Sequence, residues 1–208
     1  LAAARLTRRF QFPAMPTEAL ARRVSTQVRE AAALPPLARG PARRIAAETM
    51  IALGMAAEAD ALLRLIAEQD PKEAASPDTT ALKAVAALLA GRLRDTKALT
   101  DRPGPDTDED LLWRATLLAN QREGSSEAAN LFASVAPLIL LYPPALRDRL
   151  LPLAMETMIL GGKPAAAGQI LDERKDDKSL ALARAMWTES RGDVQAALVR
   201  YDEIARGR

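Results

Sequence analysis

Five glycines divide the chain at nearly regular intervals, and this spacing constrains the fold more than any other feature of the sequence. They are Gly54, Gly91, Gly124, Gly162 and Gly192, separated by 37, 33, 38 and 30 residues, with a mean gap of 34.5. Apolar residues on both sides follow the i, i+3, i+4 spacing of a helix face. Because glycine commonly ends a helix in the left-handed conformation, the pattern predicts a series of helix–turn–helix units.

The clearest unit spans Ala46 to Pro71, with the sequence AAETMIALGMAAEADALLRLIAEQDP. Gly54 separates two amphipathic segments, which we expect to form antiparallel helices. Pro71 ends the second helix, because the residue before a proline is disfavoured in the helical region.

Composition supports an all-α protein and removes several kinds of chemistry. Hydrophobic residues make up 49% of the chain but aromatic residues only 3%. A core of small and aliphatic side chains suits close-packed helices better than β-sheets, which favour aromatic and β-branched residues. The chain has no Cys and no His, which excludes thiol nucleophiles, disulfides, imidazole bases and most zinc sites.

Charge is distributed unevenly along the chain. Residues 1–50 contain nine Arg and three Glu, a net of +6, whereas the whole chain has a net charge of +2. The remaining residues therefore carry −4. Such asymmetry is typical of proteins that bind an acidic partner or a polyanion, but it is also typical of solvated helix faces rich in Arg.

Local signals predict further boundaries. We expect a helix from Leu1 to about Arg9, followed by an extended link up to Pro13. Thr17 is a predicted N-cap for a helix ending near Ala33. A short helix is expected over Asp95–Thr100.

Further along the chain, Thr107 is a predicted N-cap, with Asp110 three residues later. Pro152 is expected to kink or split its helix. Pro164 can start a helix, because proline is tolerated in the first turn. Asp193 is a predicted N-cap for the last helix.

The glycine spacing resembles that of tetratricopeptide repeats, whose period is about 34 residues. Aligning the glycines with the turn glycine of that family places small residues where the two helices of a repeat cross: Ala59, Ala129, Ala167 and Ala197. Pro71, Trp113 and Tyr201 fall on the family's terminal proline and large positions. The unit at Gly91 departs from the pattern, with Thr96 at the small position.

The resemblance implies a right-handed α-solenoid of about ten to twelve helices in antiparallel pairs. Residues 41–208 would form the repeats as a single solenoid, and residues 1–40 a helical cap or the tail of earlier repeats. A compact helical bundle is the alternative, although a bundle favours sustained heptads and similar helix lengths.

The sequence offers two weak candidates for chemistry. Gly161-Gly162-Lys163 resembles the end of a phosphate-binding loop, but Thr157 and Pro164 occupy positions where that motif requires Gly and Ser or Thr. Asp106, Asp108 and Asp110 have a calcium-loop spacing without its Gly and terminal Glu. We therefore predict no enzymatic activity, no cofactor and no metal.

The repeat resemblance implies a scaffold whose concave surface binds a peptide or protein partner. Transferring the family's inward-facing positions gives the candidate partner-binding residues Arg44, Glu48, Arg114, Gln121, Arg149, Glu156 and Glu189.

Two alternative functions remain open. One is binding of nucleic acid or another polyanion through the Arg-rich first 50 residues. The other is a structural module that spaces or oligomerises other domains. No small-molecule substrate is expected, and no apolar run has the length of a membrane span. The chain also resembles Ala-rich bacterial repeat proteins, some of them exported, which favours the periplasm over the cytoplasm as its compartment.

Overall fold

The computed structural model describes residues 6–101, 106–121 and 125–207, and this part of the chain is all-α. It contains eleven α-helices and no β-strand among these residues. The helices are α1 (Thr17–Ala33), α2 (Pro36–Ala52), α3 (Ala56–Gln69), α4 (Pro71–Ala74), α5 (Pro77–Leu89), α6 (Asp108–Ala119), α7 (Ser125–Val135), α8 (Pro144–Leu160), α9 (Pro164–Glu173), α10 (Ala181–Ser190) and α11 (Val194–Ala205). The prediction of an all-α protein is confirmed.

The glycines of the repeated pattern lie at helix ends. Gly54, Gly91, Gly162 and Gly192 have φ values of 86°, 77°, 82° and 88°, and no other residue type among the described residues has positive φ. Gly124 lies outside the described residues. After Gly54, the N–H of Met55 donates to the carbonyl of Met50 at 2.9 Å, as in a Schellman motif. The same bond follows Gly91 and Gly162, so three turns share one geometry.

Two predicted caps are confirmed. The hydroxyl of Thr107 accepts from the N–H of Asp110 at 3.1 Å, and the carboxylate of Asp110 accepts from the N–H of Thr107 at 2.9 Å. The carboxylate of Asp193 accepts from the N–H of Ala196 at 3.1 Å. These contacts join residues three positions apart, which is why a local sequence pattern predicts them.

Three local predictions were wrong. Residues 6–9 are not helical, because this stretch is held by contacts with distant residues, which are described below. Thr17 is the first helical residue and its side chain does not cap α1; Pro16 occupies the N-cap position. Asp95–Thr100 forms no α-helix, since Leu93–Asp95 and Lys97–Leu99 are separate 3₁₀ turns.

Prolines lie both at the start of helices and inside them. Pro164 begins α9 as predicted. Pro152 lies within α8, which continues through it rather than being split into two helices. Helix α2 begins at Pro36 and also contains Pro41, which lacks the N–H that would donate to the carbonyl four residues earlier.

The chain divides into two compact units. Unit I comprises Thr7–Trp113 and Leu141–Arg147. Successive helices in it pack against each other, α1 on α2, α2 on α3 and α3 on α5. Its fully buried side chains include Leu20, Ile51 and Leu63, so its core is mainly aliphatic, as the composition predicts.

Unit II includes, among the described residues, Arg114–Gln121, Ser125–Leu140 and Asp148–Gly207. Within it α9 packs on α10 and α10 on α11. Phe132 and Leu151 are among its fully buried side chains. No helix in the described part of the chain has the combined length and apolar character that crossing a membrane requires.

Candidate functional site

Thr7–Phe12, called here the anchored segment, has no helix or strand and is held by side chains from helices of unit I. Its first contact is with Asp108, at the start of α6. The N–H and the hydroxyl of Thr7 both donate to the Asp108 carboxylate at 2.7 Å. In return, the N–H of Asp108 donates to the Thr7 hydroxyl at 2.9 Å. The two hydrogen bonds from Thr7 lower the pKa of Asp108.

Glu109 makes the central contact and its side chain is fully buried. One carboxylate oxygen accepts from the backbone N–H groups of Arg9 at 2.7 Å and Phe10 at 2.8 Å. The other oxygen accepts from the Tyr142 hydroxyl. Burial raises the pKa of Glu109, although these three hydrogen bonds oppose the shift. Burial and the nearby Glu109 charge together raise the pKa of Tyr142 well above its ordinary value.

The guanidinium of Arg9 is paired with two carboxylates. It lies 2.7 Å from Asp78 and 3.0 Å from Asp110. The side chains of Arg9 and Asp110 are only 14% and 8% exposed. Burial pushes the pKa of Asp110 upward, but hydrogen bonds from Thr107 and the pairing with Arg9 outweigh burial and leave the pKa lowered. This pair is more shielded from solvent than a surface ion pair, whose contribution is usually small.

Glu48 holds the next residue of the anchored segment. Its carboxylate lies close enough to the Gln11 backbone for that group to lower its pKa, and it is paired with Arg44 at 2.6 Å. Arg44 also contacts Glu73 at 3.2 Å. Burial raises the pKa of Glu48, against the opposing effects of Arg44 and the Gln11 backbone. A carboxylate predicted to bind a partner is therefore paired with Arg44 and lies beside the backbone of its own chain.

Four aromatic side chains pack together at the apolar part of the anchored segment, and two of them, Phe10 and Phe12, belong to the segment itself. Phe10 and Phe12 are 2% and 5% exposed. The Phe12 ring meets Tyr142 edge-on with centroids 5.4 Å apart, and Trp113 edge-on at 6.3 Å. Trp113 and Tyr142 stack at 6.1 Å. Edge-to-face and stacked pairs add to the free energy of burial, so the two phenylalanines anchor the segment.

We call the residues that hold the anchored segment the carboxylate cradle: Glu48, Asp78, Asp108, Glu109, Asp110, Trp113 and Tyr142. Its chemistry is recognition of peptide N–H groups, of one guanidinium and of two aromatic rings. A buried carboxylate that accepts several backbone N–H groups forms strong, charge-assisted hydrogen bonds. The cradle thus binds a stretch of polypeptide without secondary structure.

The predicted partner-binding residues fall in both units. Arg44 and Glu48 lie in unit I, on α2, beside the anchored segment. The others lie in unit II: Arg114 on α6, Gln121 just after α6, Arg149 and Glu156 on α8, and Glu189 on α10. Burial raises the pKa of Glu156.

Glu189 is exposed and accepts from the Tyr201 hydroxyl at 2.7 Å. Burial, together with this hydrogen bond, raises the pKa of Tyr201 to about 12. The contact joins α10 to α11 within unit II.

Two cradle residues, Asp108 and Asp110, belong to a sequence pattern that suggested a different function. They have the spacing of calcium ligands, and Asp110 also lies three residues after the predicted N-cap Thr107. In the structure Asp110 caps α6, and both carboxylates also bind the anchored segment. The described residues contain no group of three His, Cys, Asp or Glu side chains arranged to hold a metal ion. Glu109 and Tyr142 were not predicted at all.

A basic groove of about 660 Å³ lies beside the anchored segment, within unit I. Its lining residues are Arg8, Arg9, Phe10, Gln11, Phe12, Pro13, Ala14 and Arg23. Three of these are arginines and none is acidic. Arg8 and Arg23 are exposed.

The described part of the protein is all-α, and its carboxylate cradle holds a segment of its own chain. Comparison with known proteins adds no family to this description: no family model matches the chain, and neither a curated protein nor a solved structure is found to be similar to it.

Proposed function

We propose that this chain is a non-enzymatic scaffold of tetratricopeptide-like helical repeats that binds a peptide or protein partner. The observation that carries the proposal is the carboxylate cradle, in which helix side chains hold six residues of polypeptide without secondary structure. The same arrangement of helix side chains around a foreign segment would constitute partner binding.

The turn geometry supports the repeat part of the proposal. Gly54, Gly91 and Gly162 share positive φ and the same hydrogen bond after the turn. Small residues at the proposed helix crossings are buried: Ala59, Ala129 and Ala167 are 0% exposed and Ala197 is 1% exposed. Helices with small residues at their contact can approach closely, as stacked helix pairs require.

Selection of random 12-residue peptides by phage display on the full chain tests this function. We expect an enriched consensus sequence that binds in solution, measured by fluorescence anisotropy. Arg149→Ala and Glu156→Ala on α8 should each weaken that binding about fivefold, corresponding to about 1 kcal/mol for an ordinary interface side chain.

Glu203→Ala is the matched control, because Glu203 is an exposed acid on α11 rather than on a proposed surface-lining helix. Its binding should equal that of the parent. Absence of any enriched sequence, or equal binding by all three variants, would contradict the proposed surface.

The basic groove favours a second candidate, binding of a polyanion through Arg8 and Arg23. Phosphate contacts release counterions, so affinity for single-stranded DNA or heparin would fall steeply with salt. Weak binding that is unchanged in an Arg8→Ala/Arg23→Ala variant would remove this candidate. A module that only oligomerises would show neither peptide nor polyanion binding, but self-association in light scattering.

A further inference from the structure

The polar contacts of the anchored segment are made almost entirely by side chains far away in the sequence. Thr7, Arg9 and Phe10 are hydrogen-bonded to carboxylates 99 to 101 positions further along. Among the described residues, one hydrogen bond joins the backbones, from the N–H of Glu109 to the Thr7 carbonyl at 3.1 Å. None of these contacts requires the peptide bonds that join the anchored segment to α1.

The contacts of the cradle favour a particular sequence of side chains. Arg9 is selected by the Asp78 and Asp110 carboxylates. The hydrogen bond from the Phe10 N–H to the Glu109 carboxylate involves the backbone and does not depend on the identity of the side chain. Phe10 and Phe12 are buried, whereas Gln11 between them is exposed. The pattern that fits is therefore Arg-Phe-X-Phe, where X is any residue.

Charge further restricts the partner. Five carboxylates lie in the cradle, and those on Asp78 and Asp110 converge on one guanidinium. An acidic residue in place of Arg9 would bring like charges together in a partly buried site, which is unfavourable. A basic residue followed by two spaced aromatic residues complements both the charge and the aromatic surface.

We propose that the cradle is a recognition site for an Arg-Phe-X-Phe segment of a partner protein, with the anchored segment as its built-in competitor. The proposal rests on the proposed scaffold function and names the kind of partner. A tethered competitor has an effective concentration of about millimolar. The anchored segment therefore sets a minimum affinity for displacement, which only a tightly binding or multivalent partner reaches.

The probe is a fluorescein-labelled peptide of residues 6–13, LTRRFQFP, and the protein is the full chain carrying Arg9→Ala and Phe10→Ala. These changes weaken the anchored segment and leave the cradle intact. We expect the peptide to bind this variant at least tenfold more tightly than the parent. Adding Glu109→Ala, or using the peptide with Arg9→Glu, should reduce binding at least tenfold.

A second measurement uses the parent chain and decides the question if the double variant does not fold. Unlabelled peptide at millimolar concentration is added to ¹⁵N-labelled parent, and the Phe10 amide resonance is followed. Displacement should move this resonance to the position typical of an unfolded chain, while the Leu63 resonance stays in place.

Three results would overturn the proposal: no binding by the double variant together with an unmoved Phe10 resonance, equal binding of the Arg9→Glu peptide, or a dimer of the parent without peptide. The dimer would mean that a second copy exchanges its anchored segment. Peptides from the phage selection that still bind through α8 would leave the scaffold function standing.

Discussion

Two hairpins of this protein each turn at a glycine with positive φ but differ in what surrounds them. The α2–α3 hairpin turns at Gly54 and the α10–α11 hairpin at Gly192, with φ of 86° and 88°. The small residues at their proposed crossings, Ala59 and Ala197, are both buried.

Beyond the turn the two second helices diverge. Helix α3 buries Leu63 and Ile66 completely. In helix α11, Val194, Leu198 and Val199 are 51%, 54% and 59% exposed. Ala197 is the only buried residue among the described residues of this helix. The local sequence thus determines the hairpin turn, whereas burial of its outer face depends on the other elements of the unit that cover it.

The largest predicted difference concerns one leucine in each hairpin. Leu63→Ala should lower the free energy of unfolding by about 2–5 kcal/mol, because it deletes fully buried methyl groups and leaves a cavity. Leu198→Ala should change it by less than about 0.5 kcal/mol, because the side chain is already half exposed. Urea denaturation of both variants measures the difference; similar losses would show that α11 is covered in solution.

The turn glycines should behave alike despite their different surroundings. Gly54→Ala and Gly192→Ala should each cost about 1–2 kcal/mol, because an L-residue is strained at positive φ. A Cβ at Gly54 would meet the Ala145 Cβ at 3.6 Å, an ordinary contact, and one at Gly192 would meet nothing within 4 Å. Thermal denaturation of the two variants tests whether they lose the same amount of stability. A much larger loss for Gly54→Ala would contradict the prediction.

The smallest predicted effect is a pH dependence specific to α2. Burial raises the pKa of Glu48, so the folded state binds its proton more tightly than the unfolded state does. The resulting stabilisation is full below the ordinary Glu pKa and is lost as pH rises through the raised value. The substitution Glu48→Gln removes this pH-dependent contribution to the free energy of unfolding.

The measurement compares the free energy of unfolding at pH 7 and pH 5. The change on acidification should be less favourable in the Glu48→Gln variant than in the parent. Glu203→Gln on α11 is the control, because Glu203 is exposed and lies outside the cradle. An identical pH dependence in the parent and in Glu48→Gln would contradict the burial of this carboxylate.

The same contrast explains what the sequence could predict. The all-α fold, the caps by Thr107 and Asp193, and the start of α9 at Pro164 depend on residues at most three or four positions apart, or on overall composition. Such features follow from backbone geometry and local hydrogen bonding. They were predicted and are confirmed.

The cradle could not be predicted in this way. Its contacts join residues about a hundred positions apart, so no local pattern reveals them. Residues 6–9 had the composition of a helix, yet binding of their N–H groups by Asp108 and Glu109 and burial of Phe10 override that tendency. Tertiary contacts commonly outweigh helix propensity in this manner.

Residue-resolved amide hydrogen exchange tests most directly the claim that helix carboxylates hold the anchored segment. In the parent chain, the amides of Arg9 and Phe10 should be protected although they belong to no helix or strand. Glu109→Ala should abolish their protection and leave that of Leu63 in α3 unchanged. If the Arg9 and Phe10 amides of the parent exchange as fast as those of an unfolded chain, the cradle does not hold the segment and the account is wrong.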